Sequence, residues 1–331
     1  MATNDNRKAA VKKLKLFSYN PKVNVNVFRQ KIDEAFYTPI LPNKVERQER
    51  NYGGVICDVL APELYSSKRV MFYIHGGSFV GGSRAAYRGF CSVLANKCFC
   101  RVVVPEYRLA PVNAFPASIE DVQSVFRSLF TEEQIDRSLD SEVPEFIIAA
   151  DGAGASIAMA LLLNLKDKFR KCIKKVVLFS PWLNLSKSSV LFNGKKKKCD
   201  EILSSDLIQN CASLYTYESN LENPLVSPLL AANNLLEGFP PVYIQCGGKE
   251  ILLSDIKAFE ALFKQLGLEC RLDVWPEMMH LFQMADEYLD DAHKALDKLS
   301  AVISGIDSEN FERQTYENKP RLENSLLRTE A

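Results

Sequence analysis

The stretch IIAADGAGASIAMALL, residues 147–162, changes character twice within sixteen residues. It begins as an apolar run with the length and composition of a buried strand, and it ends as an apolar stretch typical of a buried helix. Between the two lie the small residues Asp151 to Gly154, which favour a tight turn. The residue at the apex of this turn, Gly152, has no side chain. The turn is therefore either a plain connection or a functional site that lacks its central side chain.

The same alternation of strand and helix patterns extends over most of the chain. Strand character is found at 53–63, 70–77, 101–108, 145–152, 175–185, 241–248 and 269–276. Helical patterns lie between these segments, for example at 114–130, 156–165 and 254–267. Near-continuous apolar strands that alternate with amphipathic helices indicate a mostly parallel sheet with helices on both faces. The sequence therefore predicts an α/β fold.

Three segments depart from this pattern and set the domain boundaries. Residues 1–52 are mixed and charged, with no strand predicted, and we expect them to form a cap or lid. Residues from about 186 to 240 interrupt the strand spacing and are expected to form a cap insertion over one end of the sheet. Residues 307–331 are charged and poor in large apolar side chains, which predicts a weakly ordered tail, with a docking helix as the alternative. The α/β domain itself is then 53–306.

The charge balance argues against a highly charged partner. The chain has 41 Lys and Arg residues and 41 Asp and Glu residues, so its formal net charge is zero. No net field favours nucleic acid or a membrane surface, and we expect no nucleic-acid partner. The local exception is the run Lys195–Lys198, which we interpret as a solvated loop, with a localisation or docking patch as the alternative.

The cysteines and the apolar segments predict a soluble, cytoplasmic chain. Nine cysteines are scattered along the sequence, and their spacing, with only three histidines, matches no zinc site, so we expect no metal. Reduced cysteines beside apolar strands are typical of a reducing compartment. The first 21 residues lack the apolar core of a signal peptide, and no run of eighteen apolar residues is present, so we expect no membrane span.

A glycine-rich segment, His75-Gly76-Gly77-Ser78-Phe79, follows the strand pattern that begins at Val70. In a parallel α/β sheet, ligands bind beyond the carboxyl ends of the strands. Consecutive glycines allow successive backbone N–H groups to point into a cleft, where such donors stabilise an oxyanion. The alternative is an ordinary glycine-rich turn.

Five sequence blocks, each at the end of a predicted strand, resemble one known family. They are HGGSF at 75–79, EYRLAP with FPA and ED within 106–121, DGAGA at 151–155, SPWLNLS at 180–186, and the pair GGKEILLSD at 247–255 with MMHLF at 278–282. In this order they resemble the hormone-sensitive-lipase branch of the α/β-hydrolase fold, the arylacetamide-deacetylase-like esterases. The resemblance runs from about Gly53 to the helix after His280. It implies an α/β-hydrolase fold with a helical cap, carboxylic-ester chemistry, and no metal or organic cofactor.

The resemblance assigns the catalytic positions one by one. The family's nucleophilic serine falls on Gly152, its acid on Glu250 and its histidine on His280, in the chain order of this fold. Glu250 also fits a surface charge at the start of a helix, and His280 also fits a core histidine between Met279 and Leu281. We favour Glu250 and His280 as the catalytic acid and histidine.

The resemblance assigns the oxyanion hole to the backbone N–H groups of Gly77, Ser78 and Ala153. Because these donors are main-chain groups, the serine that replaces the family's third glycine does not remove one of them. Ser78 in the glycine loop, Ala150 at the elbow and Asn184 in SPWLNLS depart from the family pattern. These departures favour an old loss of the nucleophile over a recent one.

Other polar residues near these blocks have structural interpretations. His75 is expected to fix the glycine loop, and His293 lies on a charged helical stretch and is expected to be exposed. Ser156 lies one helical turn past the apex, and Asp151 occupies the position that the family fills with aspartate, so we expect neither to replace the nucleophile. Supporting roles are expected for Tyr107, Arg108, Glu120 and Asp121.

A glycine at the nucleophile position supplies no hydroxyl to attack an ester. We therefore predict a pseudoenzyme that lacks conventional serine esterase activity and binds a small acyl-type ligand or a protein partner in the old pocket. The alternative is a carboxylic-ester hydrolase with residual or unconventional activity through a water activated by His280. A third hypothesis is an esterase in which only the serine was replaced and the rest of the site is intact. Members of the family often dimerise, so a homodimer is also considered.

Overall fold

The computed structural model of the chain describes residues 4–38, 40–41, 44–66, 68–136, 144–193 and 200–317. The lysine run Lys195–Lys198 lies outside these residues, so its two interpretations stay predictions. Within the described ranges, no helix is long and apolar enough to cross a membrane.

One sheet forms the centre of the described part of the chain. Its strands are β1 (Glu46–Tyr52), β2 (Val55–Ala61), β3 (Arg69–Ile74), β4 (Arg101–Pro105), β5 (Glu145–Asp151), β6 (Ile173–Phe179), β7 (Val242–Gly247) and β8 (Cys270–Trp275). Their order in space is β1-β2-β4-β3-β5-β6-β7-β8. β2 runs antiparallel to β1 and β4, and the other neighbouring pairs are parallel. All seven predicted strands are present, and the predicted α/β class with a mostly parallel sheet is confirmed.

Helices cover this sheet on both faces. They are α1 (Asn4–Leu14), α2 (Val25–Phe36), α3 (Arg84–Cys98), α4 (Ala117–Asp136), α5 (Gly152–Asn164), α6 (Asp167–Arg170), α7 (Val190–Asn193), α8 (Ser205–Tyr215), α9 (Leu253–Gln265) and α10 (Asp290–Glu317). α3 packs against β2 and β4 and is itself covered by α10, whereas α4 and α5 pack against each other. Every residue of β3, β5 and β7 is buried, which requires cover on both faces of the sheet.

Strand β1 corrects the prediction that no strand precedes residue 53. Its sequence, ERQERNY, is polar because all of its residues except Tyr52 are exposed. β1 lies at one edge of the sheet, where it pairs with β2. Backbone hydrogen bonds of the ladder, and not an apolar face, hold such an edge strand. The apolar alternation that identifies the other strands is therefore missing from this one.

The N-terminal helices pack on the body of the protein through apolar faces. α1 buries Ala10 and Leu14, and α2 buries Phe28, Ile32 and Phe36. These residues recur at four-residue spacings, so each helix presents one apolar stripe to the core. α2 packs against α3, and α1 packs against the turn that follows His280.

The insertion and the C-terminal segment are helical where they are described. The described residues of 186–240 contain α7, α8 and short 3-10 turns. α10 continues to Glu317, so the backbone is helical over 307–317, for which the sequence predicts weak order. The remainder of the predicted tail, 318–331, lies outside the described residues.

Candidate active site

The connection between β5 and α5 is a sharp elbow. β5 ends at Asp151, and α5 begins at Gly152 with no residue between them. Gly152 has a φ of +48°, in the left-handed region that favours glycine. A Cβ on Gly152 would lie 3.6 Å from His280 Nε2 and 3.9 Å from Trp182 Nε1. A side chain at this position would therefore face the histidine at ordinary contact distance.

His280 and Glu250 form a buried hydrogen-bonded pair. Nδ1 of His280 lies 3.2 Å from Glu250 Oε2, and the two residues are only 3% and 4% exposed. The second carboxylate oxygen, Oε1, accepts hydrogen bonds from Ser180 Oγ at 2.7 Å and from the backbone N–H of Gly247. With Nδ1 donating to the carboxylate, Nε2 is the nitrogen that faces Gly152. An acid that orients a histidine in this way is the arrangement of a general base.

Ser180 is a positioning residue that the sequence analysis missed. Its Oγ donates to Glu250 and accepts a hydrogen bond of 3.1 Å from the N–H of Leu281. One hydroxyl thus ties the acid to the segment that carries His280. The block SPWLNLS drew attention to this position, but a hydrogen bond to residues 70 and 101 positions further along the chain has no local sequence signal.

Asp151 ties the glycine loop to the elbow. Its fully buried carboxylate accepts hydrogen bonds of 2.8 Å from the hydroxyls of Tyr73 and Tyr87 and from the N–H of Gly76. Burial raises the pKa of Asp151 to about 6, although these donors act in the opposite direction. Both oxygens are engaged, so the carboxylate is not free to attack a substrate.

The glycine loop packs closely against the elbow. A Cβ on Gly154 would lie 2.2 Å from the carbonyl oxygen of His75, so only glycine allows this approach. Gly77 has a φ of +112°, which a residue with a side chain rarely adopts. In the described part of the chain, the amides of Gly77, Ser78 and Ala153 donate no hydrogen bond to the protein. Two amides of the glycine loop and one at the start of α5 therefore have no acceptor among the described residues.

His75 is held within the glycine loop, where its Nδ1 lies 2.8 Å from the carbonyl oxygen of Gly76. Its ring stacks on Tyr107 with a centroid distance of 4.3 Å, and Tyr107 Oη donates to the His75 carbonyl oxygen at 2.6 Å. Burial lowers the pKa of His75 to about 4, so the ring is neutral at pH 7.

The side chain of Ser78 has a role that the sequence analysis did not foresee. Its Oγ donates to the carbonyl oxygen of Phe17 at 2.9 Å and accepts a 3.3 Å hydrogen bond from the N–H of Tyr19. The residue that departs from the family's glycine therefore attaches the segment after α1 to the glycine loop. The partners lie about 60 residues earlier in the chain, and no local pattern predicts them.

Aromatic side chains close the site. Phe79 of the glycine loop stacks on Tyr215 of α8 at 4.0 Å between ring centroids, and it contacts Trp182 edge-on at 5.8 Å. Trp182 is only 2% exposed, and its Nε1 has no hydrogen-bond partner within the described residues. Tyr215 of α8, Phe79 and Trp182 thus form a continuous aromatic wall, of which only Trp182 is placed by a distance to Gly152.

The remaining candidates have other partners. Ser156 Oγ donates to the carbonyl oxygen of Trp182 inside the protein, so its hydroxyl is committed to the backbone. The imidazole of His293 is 59% exposed and pairs with Asp297 on the surface of α10. Supporting contacts join Arg108 to Asp121, Glu120 and the carbonyl oxygen of Ala117. Within the described ranges, no group of three or more His, Cys, Asp or Glu side chains is placed to hold a metal ion.

Fold and site together define a class of protein. Residues 71–284 match the model of the family described as alpha/beta hydrolase fold, and the chain therefore belongs to that family. The hormone-sensitive-lipase-like esterase resemblance is confirmed by the comparisons with curated and solved relatives.

Three relatives illustrate the branch. An esterase of Acinetobacter venetianus is 31% identical over 245 residues, which cover 73% of this chain and 77% of the relative. An acetyl-hydrolase of Streptomyces hygroscopicus is 29% identical over 237 residues, which cover 71% and 75% of the two chains. The crystal structure of an esterase from the bacterial hormone-sensitive lipase family superposes with a TM-score of 0.78 at 25% identity and covers 92% of this chain and 98% of that one.

Proposed function

We propose that the chain is a pseudoenzyme of the esterase family, which binds a small acyl-type ligand beside Gly152 and lacks conventional serine esterase activity. The observation that carries the proposal is a glycine at a position where a Cβ would lie 3.6 Å from His280 Nε2. The histidine that pairs with Glu250 adjoins that position, and the resemblance assigns the backbone donors to it, but no atom of Gly152 can attack an ester. The names of the relatives, an esterase and an acetyl-hydrolase, support an acyl-type ligand.

The expected loss of rate is large. Removal of the nucleophile from a catalytic triad lowers turnover by about a million-fold, or about 8 kcal/mol of barrier. Ser156 and Asp151 do not compensate, because Ser156 donates to a buried carbonyl oxygen and Asp151 is engaged by three donors. The chain is therefore expected to retain the recognition functions of the site without its chemistry.

The test is hydrolysis of p-nitrophenyl acetate and p-nitrophenyl butyrate. We expect a rate no higher than that of buffer with an inert protein. Gly152→Ser should gain hydrolysis and react with a fluorophosphonate probe, because a Cβ there makes only ordinary contacts. Gly152→Ala is the matched control, since it adds the same Cβ without the hydroxyl and should stay inactive.

A second function is favoured by one observation. His280 Nε2 faces the side of Gly152 where a serine hydroxyl would lie, so a water there would be in reach of a base oriented by Glu250. Slow ester hydrolysis by the unmodified chain that is lost in His280→Ala and kept in His293→Ala would establish this residual hydrolase. The same result would contradict the pseudoenzyme.

A cytoplasmic location fits the same proposal. Eight cysteines lie among the described residues, and all of them are free. Free buried thiols are typical of a reducing compartment. Light scattering gives the molar mass of the chain. Measured with and without a cell extract, it tests whether a second copy of the chain or a protein partner is bound in addition to the small ligand.

A further inference from the structure

Trp182 carries a hydrogen-bond donor that the described residues leave without an acceptor. The indole is 2% exposed, and its Nε1 has no acceptor among the described residues. A Cβ on Gly152 would lie 3.9 Å from this nitrogen, so the donor borders the proposed ligand site. An indole nitrogen donates and never accepts, and buried donors are rarely left unpaired. The atom of a ligand that lies beside Trp182 is therefore an acceptor.

His280 faces the same position with its second nitrogen. Nε2 would lie 3.6 Å from the Cβ of residue 152, while Nδ1 is engaged by Glu250. A ligand oxygen between Trp182 Nε1 and His280 Nε2 accepts from the indole and shares a proton with the imidazole. A carboxylic acid brings that proton. The complex can then be written with the proton on the ligand oxygen or on Nε2, and the two forms differ only in the position of this proton. An ester oxygen brings no proton and would face a nitrogen lone pair.

The backbone donors account for the second oxygen of a carboxylate. The amides of Gly77, Ser78 and Ala153 donate no hydrogen bond within the described protein. In an esterase, the acyl carbonyl oxygen accepts hydrogen bonds from such amides while the serine oxygen is bonded to the same carbon. A free carboxylate has both oxygens on one carbon. With glycine at 152, the ligand itself supplies the oxygen that a serine would supply.

We propose that the site binds the free carboxylate of a small acyl chain in preference to its ester, an inference that rests on the proposed function. One carboxylate oxygen accepts hydrogen bonds from the amides of Gly77, Ser78 and Ala153. The other oxygen lies between Trp182 Nε1 and His280 Nε2. The acyl chain lies against the stacked rings of the aromatic wall. No covalent bond forms or breaks.

The experiment compares sodium butyrate with methyl butyrate at matched ionic strength. Binding is followed through the indole N–H signals of the ¹⁵N-labelled chain, which has two tryptophans. Trp275 Nε1 donates to Asp273 at 3.1 Å, so its signal is the internal reference. We expect butyrate to shift the signal of Trp182 downfield and to bind at least about ten-fold more tightly than methyl butyrate, because a hydrogen bond to a charged group is the stronger one.

Two variants test the geometry. Trp182→Phe removes the donor and keeps an aromatic ring, and it should weaken butyrate binding about ten-fold or more. The matched control, Trp275→Phe, should leave the affinity unchanged. Gly152→Ala adds a carbon 3.6 Å from His280 Nε2 and 3.9 Å from Trp182 Nε1, which narrows the space for the second oxygen, so it should also reduce butyrate binding. Equal butyrate affinity in the parent and in Trp182→Phe would overturn the proposal.

The two proposals fail in different ways. If methyl butyrate binds as tightly as butyrate and shifts the Trp182 signal, the preference for a carboxylate is overturned and acyl binding stands. If neither compound shifts that signal, both the preference and the acyl-binding function are contradicted. If butyrate shifts only the signal of Trp275, its binding lies elsewhere and the assigned site is wrong.

Discussion

The acid–histidine pair and the glycine loop both border Gly152, but different parts of the chain hold them in place. Glu250 and His280 are fixed by Ser180, which follows β6, and by Gly247, which ends the neighbouring parallel strand β7. The glycine loop is fixed by Asp151 and also, through Ser78, by a segment from the N-terminal region. The acid–histidine half of the site, Glu250 and His280, is therefore held by the sheet. The glycine-loop half also depends on how the N-terminal segment packs against Ser78.

Under the proposed function, the comparison gives a reason why the site would keep its architecture without a nucleophile. Each retained group has a structural partner as well as a catalytic position. Loss of Asp151 would leave two buried tyrosine hydroxyls without a hydrogen-bond acceptor. Loss of Ser180 would remove a hydrogen bond that holds the segment carrying His280. The serine hydroxyl of an esterase has no such second role. Its removal costs the fold little.

The largest expected effect tests the acid–histidine half. In a Gly152→Ser background, His280→Ala should reduce the regained esterase turnover by roughly 10⁴-fold or more, because the serine then has no base. Steady-state hydrolysis of p-nitrophenyl butyrate measures the loss. His293→Ala is the control, since that imidazole is 59% exposed on α10. Equal activity with and without His280 would show that this half is not assembled for catalysis.

The next effect tests the link between the glycine loop and the elbow. The pKa of Asp151 is raised from an ordinary 3.8 to about 6, chiefly by burial, so the folded chain keeps a proton that the unfolded chain releases. Its contribution to stability is full below pH 3.8 and is lost as the pH rises through about 6, an effect of about 3 kcal/mol.

Asp151→Asn removes this titration. Denaturant unfolding between pH 4 and pH 7 should show a free energy of unfolding that falls less with pH in the variant than in the parent. Asp291→Asn, at a half-exposed carboxylate of α10, is the control and should follow the parent. Parallel pH profiles for the parent and Asp151→Asn would refute the assignment of this titration to Asp151.

The smallest effect tests the attachment of the N-terminal segment. Ser78→Ala removes the hydrogen bonds to Phe17 and Tyr19 and keeps the Cβ, so we expect about 1 kcal/mol of lost stability. Hydrogen exchange at the amide of Tyr19 should become faster, while the Glu250–His280 half is unchanged. Ser213→Ala, at the surface of α8, is the control. Unchanged exchange at Tyr19 would mean that this tether does not hold the segment.

Most of the fold could be predicted because buried parallel strands are apolar along their whole length. VMFYI and FIIAA are legible as strands for this reason, and both are fully buried. ERQERNY was not legible, because an exposed edge strand takes its stability from backbone pairing. The pattern of apolar residues thus indicates burial, so it identifies a strand only where the strand is buried.

The sequence also predicted which residues the structure brings together, because Gly152, Glu250 and His280 lie within five residues of the ends of β5, β7 and β8. The partners of those residues could not be predicted. The hydrogen bonds of Ser78 and Ser180 join positions far apart in sequence, and the unpaired indole nitrogen of Trp182 is a property of packing. Sequence blocks located the site, but only the packed structure defines what its donors face.

The left-handed backbone at Gly152 has an evolutionary consequence. At a φ of +48°, a serine would carry roughly 1–2 kcal/mol of strain that glycine avoids, and the greater freedom of glycine in the unfolded chain offsets part of that difference. Exchange of the nucleophile for glycine is therefore close to neutral for folding, so selection on stability does not oppose it. If the chain is the pseudoenzyme proposed above, each later substitution around the site accumulates without a catalytic constraint, and the path back to an enzyme lengthens while the fold stays intact.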